Sequence, residues 1–265
     1  GFLPARHQGT VINASDSRPV RYLFPPAEAR HINAASEQAS RDILGALNEN
    51  HASRTPGGTW LEDRIQSLEM AARMQLSVPE LFDMKGESQA VKSLYGMNEK
   101  NTEDFAKRCI LGRRMLERGV RFVQIWSGAG GPSKNWDNHA NIHTELPYMT
   151  RQVDKPIAGL IKDLKARGML EDTLVIWTTE FGRMPFSQGQ AGRDHNGGTF
   201  VTWFAGGGIK GGTSFGQSDR WGWKSDKGTT SHDMHATILD LLGVNHEKLT
   251  VRHNGIDRRL TDVHG

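Results

Sequence analysis

Three short apolar runs, VRFVQIW (120–126), TLVIWTT (173–179) and TFVTWFA (199–205), constrain the fold of this chain more than any other feature. Each is rich in β-branched and aromatic residues, is bounded by glycine or charge, and is too short to read as a helix. Their near-continuous apolar character fits strands of a sheet covered on both faces. Between the first two runs, Ile157, Leu160, Ile161 and Leu164 form an apolar stripe at helical spacing within 147–167, with Gly168 placed as the C-cap. Strand, helix, strand from 120 to 179 therefore predicts a parallel βαβ unit.

The N-terminal part has a different texture. Residues 1–35 are rich in Pro, Gly and Arg and read as loops and short extended pieces. Helices are predicted over 36–50, with Ser36 as cap and Ile43, Leu44 and Leu47 on one face, and over 61–76, where Ile65, Leu68, Ala72 and Leu76 recur. A further helix is predicted over 102–118, between Thr102 and Gly119, and a last one over 232–242, between Ser231 and Gly243. The expectation is a mainly helical region over 1–119 and an α/β region over 120–265 within one domain.

Bulk composition narrows the function classes. The chain has 33 Lys plus Arg against 30 Asp plus Glu in 265 residues, with a net charge of +3 and mixed signs along its length. That balance lacks the dense basic stripe expected of a nucleic-acid binder. Cys109 is the single cysteine, which excludes an internal disulfide framework and a cysteine-rich zinc site. No apolar run approaches the length of a transmembrane helix.

Ligands of parallel α/β sheets collect beyond the carboxyl ends of the strands. Each predicted strand is followed there by carboxylate and imidazole. NWDNHANIH brings Asp137, His139 and His143; the loop after TLVIWTT brings Glu180, Arg183, Asp194 and His195; SHDMH brings His232, Asp233 and His235. Oxygen and nitrogen ligands without thiolate suit a divalent ion such as zinc or manganese, and Arg183 suits an oxyanion. Each residue also has an ordinary alternative. Glu180 can end a strand and pair with Arg183; Asp194 can fix a turn; Asp233 and Ser231 can serve a helix start; His232 and His235 can hydrogen-bond across a helix end. Trp126, Trp136, Trp177 and Trp203 read as core and rim packing rather than sugar platforms. GAGGP and AGGGIKGG read as chain reversals, since neither carries a phosphate-loop ending. The convergence of three loops favours a metal site over these separate readings.

NWDNHANIH, EDTLVIWTTEFGRMP, GRDHN, WFAGGGIKGG, HDMHATILDLLGV and DRRLTDVHG resemble, in order and wording, the domain of unknown function 1501 family, which is similar to sulfatases and alkaline phosphatases. GFLPARHQGT and LEMAARMQLSVPELFDM extend the resemblance through essentially the whole chain. It implies a parallel-sheet, alkaline phosphatase/sulfatase-like core flanked by helices. It implies a metal-dependent hydrolase of phosphate or sulfate esters, with zinc, manganese or calcium as the ion and an anionic small molecule or glycan ester as substrate. The metal ligands implied are Asp137, His139, Glu180 and His195, with His143, Asp194, His232, Asp233 and His235 as further candidates and Arg183 as the catalytic anion clamp. Phe181 departs from the superfamily pattern, where a ligand usually stands. The Gly-Gly-x-Ser-x-x-Asp-like stretch that supplies the nucleophile is not found, so the chain reads as the C-terminal portion of a longer protein, incomplete at the N-terminus. The alternative is a non-catalytic, sulfatase-like protein of the envelope that binds metal or glycan. The family's twin-arginine export signals imply a periplasmic or envelope location.

Overall fold

A computed structural model gives the architecture, and it describes residues 9–15, 29, 31–54, 65, 80–128 and 135–262. It is a mixed α/β protein whose chain divides into two compact units, 1–87 and 88–265. In the first unit, α1 (Ala34–Arg54) covers the helix predicted over 36–50 and extends it at both ends. Its cap is Asn33, whose Oδ1 accepts the N–H groups of Ala35 and Ser36, both at 3.1 Å. Ser36 instead turns its hydroxyl onto the Asn33 carbonyl. Ile43, Leu44 and Leu47 are exposed within this unit. The helix expected over 61–76 lies outside the described residues, apart from Ile65.

The second unit is built on three helices: α2 (Gln89–Tyr95), α3 (Glu103–Glu117) and α4 (Ile142–Ala166). On α3 the buried residues Ala106, Cys109, Ile110 and Arg113 recur at helical spacing. Met149, Val153, Pro156 and Leu164 do the same on α4. Gly159 is the point of closest approach: a Cβ there would lie 2.9 Å from the Leu94 carbonyl oxygen of α2. No larger residue fits without moving one helix. The α3 stripe carries a charge into the core. The Arg113 guanidinium sits 3.2 Å from Asp163 through Nε and donates to Glu117 at 2.8 Å. Asp163 also accepts from Tyr95 at 2.9 Å and from Arg167 at 2.8 Å. The guanidinium is paired with two carboxylates and hydrogen-bonded to Glu117 through Nη1, and that pairing is what makes its charge tolerable in a core.

Helix α4 starts five residues before the predicted 147, because Asn141 caps it. The Asn141 Oδ1 accepts from His143 N at 3.1 Å, and the buried Glu145 returns a carboxylate to Asn141 N at 3.3 Å. Pro147, which lies inside this helix, is what the sequence pattern had set as its edge.

Strand pairing differs from expectation. The run 173–179 forms β1 (Val175–Trp177), and 199–205 forms β4 (Trp203–Ala205). They pair antiparallel, with Ile176 opposite Phe204. Between them β2 (Gly182–Arg183) and β3 (His195–Asn196) make an antiparallel hairpin, and β5 (Thr250–His253) and β6 (Ile256–Arg259) make another. The parallel sheet expected from the sequence is not among the described pairings. β1 and β4 pair antiparallel because only a hairpin, not a crossover helix, joins them, and the helix-linked pair of 120–126 with β1 is missing because 120–126 joins no ladder among the described residues. The third expected strand, 120–126, carries no ladder among the described residues. Its alternation is still used. Val123 and Ile125 turn toward α3, where Ile125 Cδ1 would lie 2.9 Å from a Cβ on Gly112. Phe122 and Trp126 face out, 75% and 71% exposed, so Trp126 is not a packing residue here. One face is covered, and by a helix. Finally, α5 (Ser231–Leu241) matches the last predicted helix within one residue at each end.

Candidate metal centre

The hairpin β2–β3 makes the site. In its ladder Arg183 stands opposite His195, so both side chains project from the same face. Beyond the ladder the hairpin continues: Met184 N donates to Asp194 O at 2.9 Å, and Gln188 and Gly192 exchange N–H···O bonds at 2.9 and 3.0 Å. Its tip grips the segment that carries the other ligands. Arg193 N donates to Asn138 O at 2.8 Å, and Ile142 N donates to Ala191 O at 3.0 Å. The approach is so close that a Cβ on Gly192 would lie 1.9 Å from the His139 carbonyl oxygen.

Between Asp137 and His139, the buried Asn138 takes a left-handed φ of 50°. Asparagine tolerates that region better than most residues. Its side-chain amide donates to Trp136 O at 2.8 Å, which holds the bend. The outcome is a triangle of donor atoms. Asp137 Oδ1, His139 Nε2 and His195 Nε2 lie 3.2, 3.1 and 3.0 Å apart: His139 to Asp137, His195 to Asp137, and His139 to His195. All three residues are exposed.

The protonation pattern follows from the partners. His139 Nδ1 is 2.7 Å from Gln188 Oε1. An amide oxygen has no proton to give, so His139 donates from Nδ1, and its Nε2 carries a lone pair into the triangle. Arg183 Nη2 donates to Asp137 Oδ1 at 2.5 Å, and its Nη1 donates to Arg193 O at 3.2 Å. The Arg183 hydrogen bond holds the Asp137 carboxyl below the usual carboxylate range; desolvation opposes it, and the His195 hydrogen bond adds a lesser push in the same direction as Arg183. Phe181 stacks on His195 with ring centroids 4.2 Å apart and a 30° tilt. Phe181 thus serves as a flat wall that orients an imidazole.

The donor set has metal-site chemistry. Zinc binds nitrogen and oxygen at about 2.0–2.1 Å in a tetrahedron, which separates its ligand atoms by roughly 3.3 Å. The three spacings here lie close to that value. Two imidazoles and one carboxylate favour zinc or manganese over calcium, which takes six to eight oxygens.

The other candidates fall elsewhere. Glu180 is exposed, accepts from Thr179 Oγ1 at 2.9 Å, and is not in the ligand triangle. The Asp194 carboxylate accepts its neighbour's N–H, from His195, at 2.7 Å. His143 lies in the first turn of α4, outside the triangle. Asp233 closes a capping box with Thr230, accepting its N–H at 2.6 Å and its hydroxyl at 2.8 Å. The N-cap of α5 is Thr230 rather than Ser231. His235 Nδ1 meets the Ser231 carbonyl at 2.6 Å one turn back, and His232 sits in the same turn of the helix. The sequence reading did not single out Gln188, nor the bonds of Asn138, Ala191 and Arg193 that lock the two segments. The sole local signal for the latter was Gly192, between Ala191 and Arg193 in the hairpin.

A family model described as Protein of unknown function (DUF1501) matches residues 1–265. No curated protein and no solved structure matches the chain.

Proposed function

We propose, for a chain that belongs to the DUF1501 family of proteins of unknown function, that Asp137, His139 and His195 bind one divalent metal ion. We further propose that the site hydrolyses a phosphate or sulfate ester, as in a sulfatase-like enzyme of the periplasm or envelope. One observation carries the reading: three donor atoms from two chain segments meet at 3.0–3.2 Å, with an arginine on the same carboxylate. The ion would supply Lewis acidity, polarising an ester oxygen and activating water.

The chain's own residues do the rest. His139 is held with its lone pair inward by Gln188, and the face of Phe181 fixes the plane of the His195 ring. Asp137 keeps its charge to a lower pH than an ordinary aspartate, so it remains a ligand as conditions turn mildly acidic. Arg183 is anchored to the Arg193 carbonyl through one nitrogen and holds Asp137 through another. In this role its fork exchanges the carboxylate for a tetrahedral oxyanion, in which hydrogen bonds to a charged acceptor are the strong ones. Glu180, beyond the end of β1, is the proposed reach toward a second or shared ion.

Zinc titration of the purified protein tests this, with wild type set against His195→Ala. Wild type is expected to bind about one equivalent, and the variant to bind it at least a hundredfold more weakly. A panel of aryl phosphates and sulfates with zinc, manganese and calcium then reads turnover. Hydrolysis that depends on one ion and is lost in His195→Ala supports the enzyme. Metal binding without turnover leaves the non-catalytic binding protein, and equal zinc content in both proteins removes His195 from the site.

A further inference from the structure

We propose that the aromatic cleft beside the triangle is a platform for a sugar ring, so that the ester brought to Asp137, His139, His195 and Arg183 is carried by an anionic saccharide. This rests on the ester-hydrolase reading above and names its substrate class. The cleft holds about 610 Å³ and is lined by Pro185, Phe186, Asp219, Trp221, Trp223 and Lys224. That volume suits a small ligand. Its aromatic rings are exposed: Trp221 is 66% exposed, Phe186 52% and Trp223 40%. Clustered large apolar rings at a surface mark a binding site more often than single ones do.

These rings are held in place. Asp219 accepts the N–H of Trp221 at 3.1 Å and of Trp223 at 2.9 Å through one oxygen, while Asp219 N donates to Lys224 O at 2.8 Å. Phe186 stacks on Trp223 with centroids 5.3 Å apart, and the Arg220 guanidinium lies 4.3 Å over the Trp221 ring. The loop is also tied to the metal centre's own hairpin. Asn196, next to His195, donates to Gly222 O at 3.3 Å, and Ser225 N donates to Gly198 O at 2.8 Å. Pro185 is two residues from Arg183, so their Cα atoms are at most about 7 Å apart. A ligand seated on the rings thus has its edge near the arginine.

The mixture of groups selects the ligand. An indole face is complementary to the C–H face of a pyranose. Polar and charged groups around the rings suit its hydroxyls, as an amphipathic ligand requires. Lys224 in the cleft lining and Arg220 over the Trp221 ring add positive charge, which complements a sulfated or phosphorylated ring. A purely apolar ligand would leave these charges unused.

Calorimetry on the zinc-loaded protein tests the proposal. The probes are glucose 6-sulfate, N-acetylglucosamine 6-sulfate, glucose 6-phosphate, glucose, inorganic sulfate and p-nitrophenyl sulfate. The charged hexoses are expected to bind more tightly than glucose or sulfate alone. Trp221→Ala and Trp223→Ala are each expected to weaken that binding about tenfold, with zinc stoichiometry and inorganic sulfate affinity unchanged. Hexose esters that bind both variants as they bind wild type overturn the platform and leave the metal reading standing. A Trp221-dependent affinity for p-nitrophenyl sulfate, with none for the hexose esters, overturns the sugar in favour of an aryl ligand. Loss of zinc binding in wild type removes the parent reading; Trp221-dependent hexose binding under that outcome still supports the platform.

Discussion

His139 shows how far a single side chain depends on a neighbour that does not touch the ion. Gln188 Oε1 accepts a hydrogen bond from the Nδ1–H at 2.7 Å and so turns the Nε2 lone pair toward Asp137 and His195. Gln188→Leu is expected to weaken zinc binding about 10- to 100-fold, and Gln188→Glu to restore much of it, as read by competition with a zinc indicator. An unchanged affinity in Gln188→Leu would show that the tautomer is fixed by something else. Cys109 marks the opposite extreme, a residue with no partner chemistry. Burial pushes its thiol up to about 12, with Arg108 pulling slightly the other way. A raised acid stays neutral below its new value, so the native thiol is not a nucleophile at pH 8. A thiol reagent at that pH is expected to leave the native protein unlabelled and to modify one group per chain once it is unfolded in guanidinium. Rapid labelling of the native state would mean that the α3 core opens readily.

At the scale of elements, the hairpin β2–β3 does what no isolated motif does. It fixes Arg183 against His195 by register and then clasps the 137–142 segment with two backbone hydrogen bonds. Gly192 is the tight point of the clasp, 1.9 Å from the His139 carbonyl oxygen when given a Cβ. Gly192→Ala is therefore expected to cost at least tenfold in zinc affinity, while far-UV circular dichroism keeps its helical signal. Wild-type affinity in that variant would show that the hairpin tip does not position His139. The sequence pattern marked Asp137, His139, Arg183 and His195 because each follows a predicted strand. It did not show the clasp, because backbone hydrogen bonds between segments 50 residues apart leave no periodic trace in residue types. Helices α3 and α5 were legible for the converse reason: their apolar spacing and end residues are local.

Across the larger unit, stability rests on the packing of α2, α3 and α4 around a charged knot. Arg113, Glu117, Asp163, Arg167 and Tyr95 meet there in one network of ion pairs and hydrogen bonds. Burial, then the Asp163 carboxylate, push the Tyr95 phenol above its ordinary range, so it stays a hydrogen-bond donor at any physiological pH. Asp163→Ala leaves the Arg113 guanidinium in the core with less compensating charge. It is expected to cost about 3–5 kcal/mol, read as a lowered urea midpoint with unchanged slope. A loss under about 1 kcal/mol would place the knot among marginal ion pairs. No helix of the described residues is long and apolar enough to cross a membrane, in line with the absence of such a run in the sequence.

What the sequence by itself determined is local: which runs coil, where most of them stop, and which loops carry carboxylate and imidazole. Side-chain spacing and capping chemistry act within a few residues, so they are written in residue order. What the tertiary structure alone decided is partnership. Whether two apolar runs pair antiparallel, whether Glu180 joins the triangle, and whether Trp221 is packed or bare depend on which distant segment arrives alongside. That choice is made by shape and hydrogen bonding across the whole unit, where a single close approach such as Gly192 against His139 outweighs any local preference.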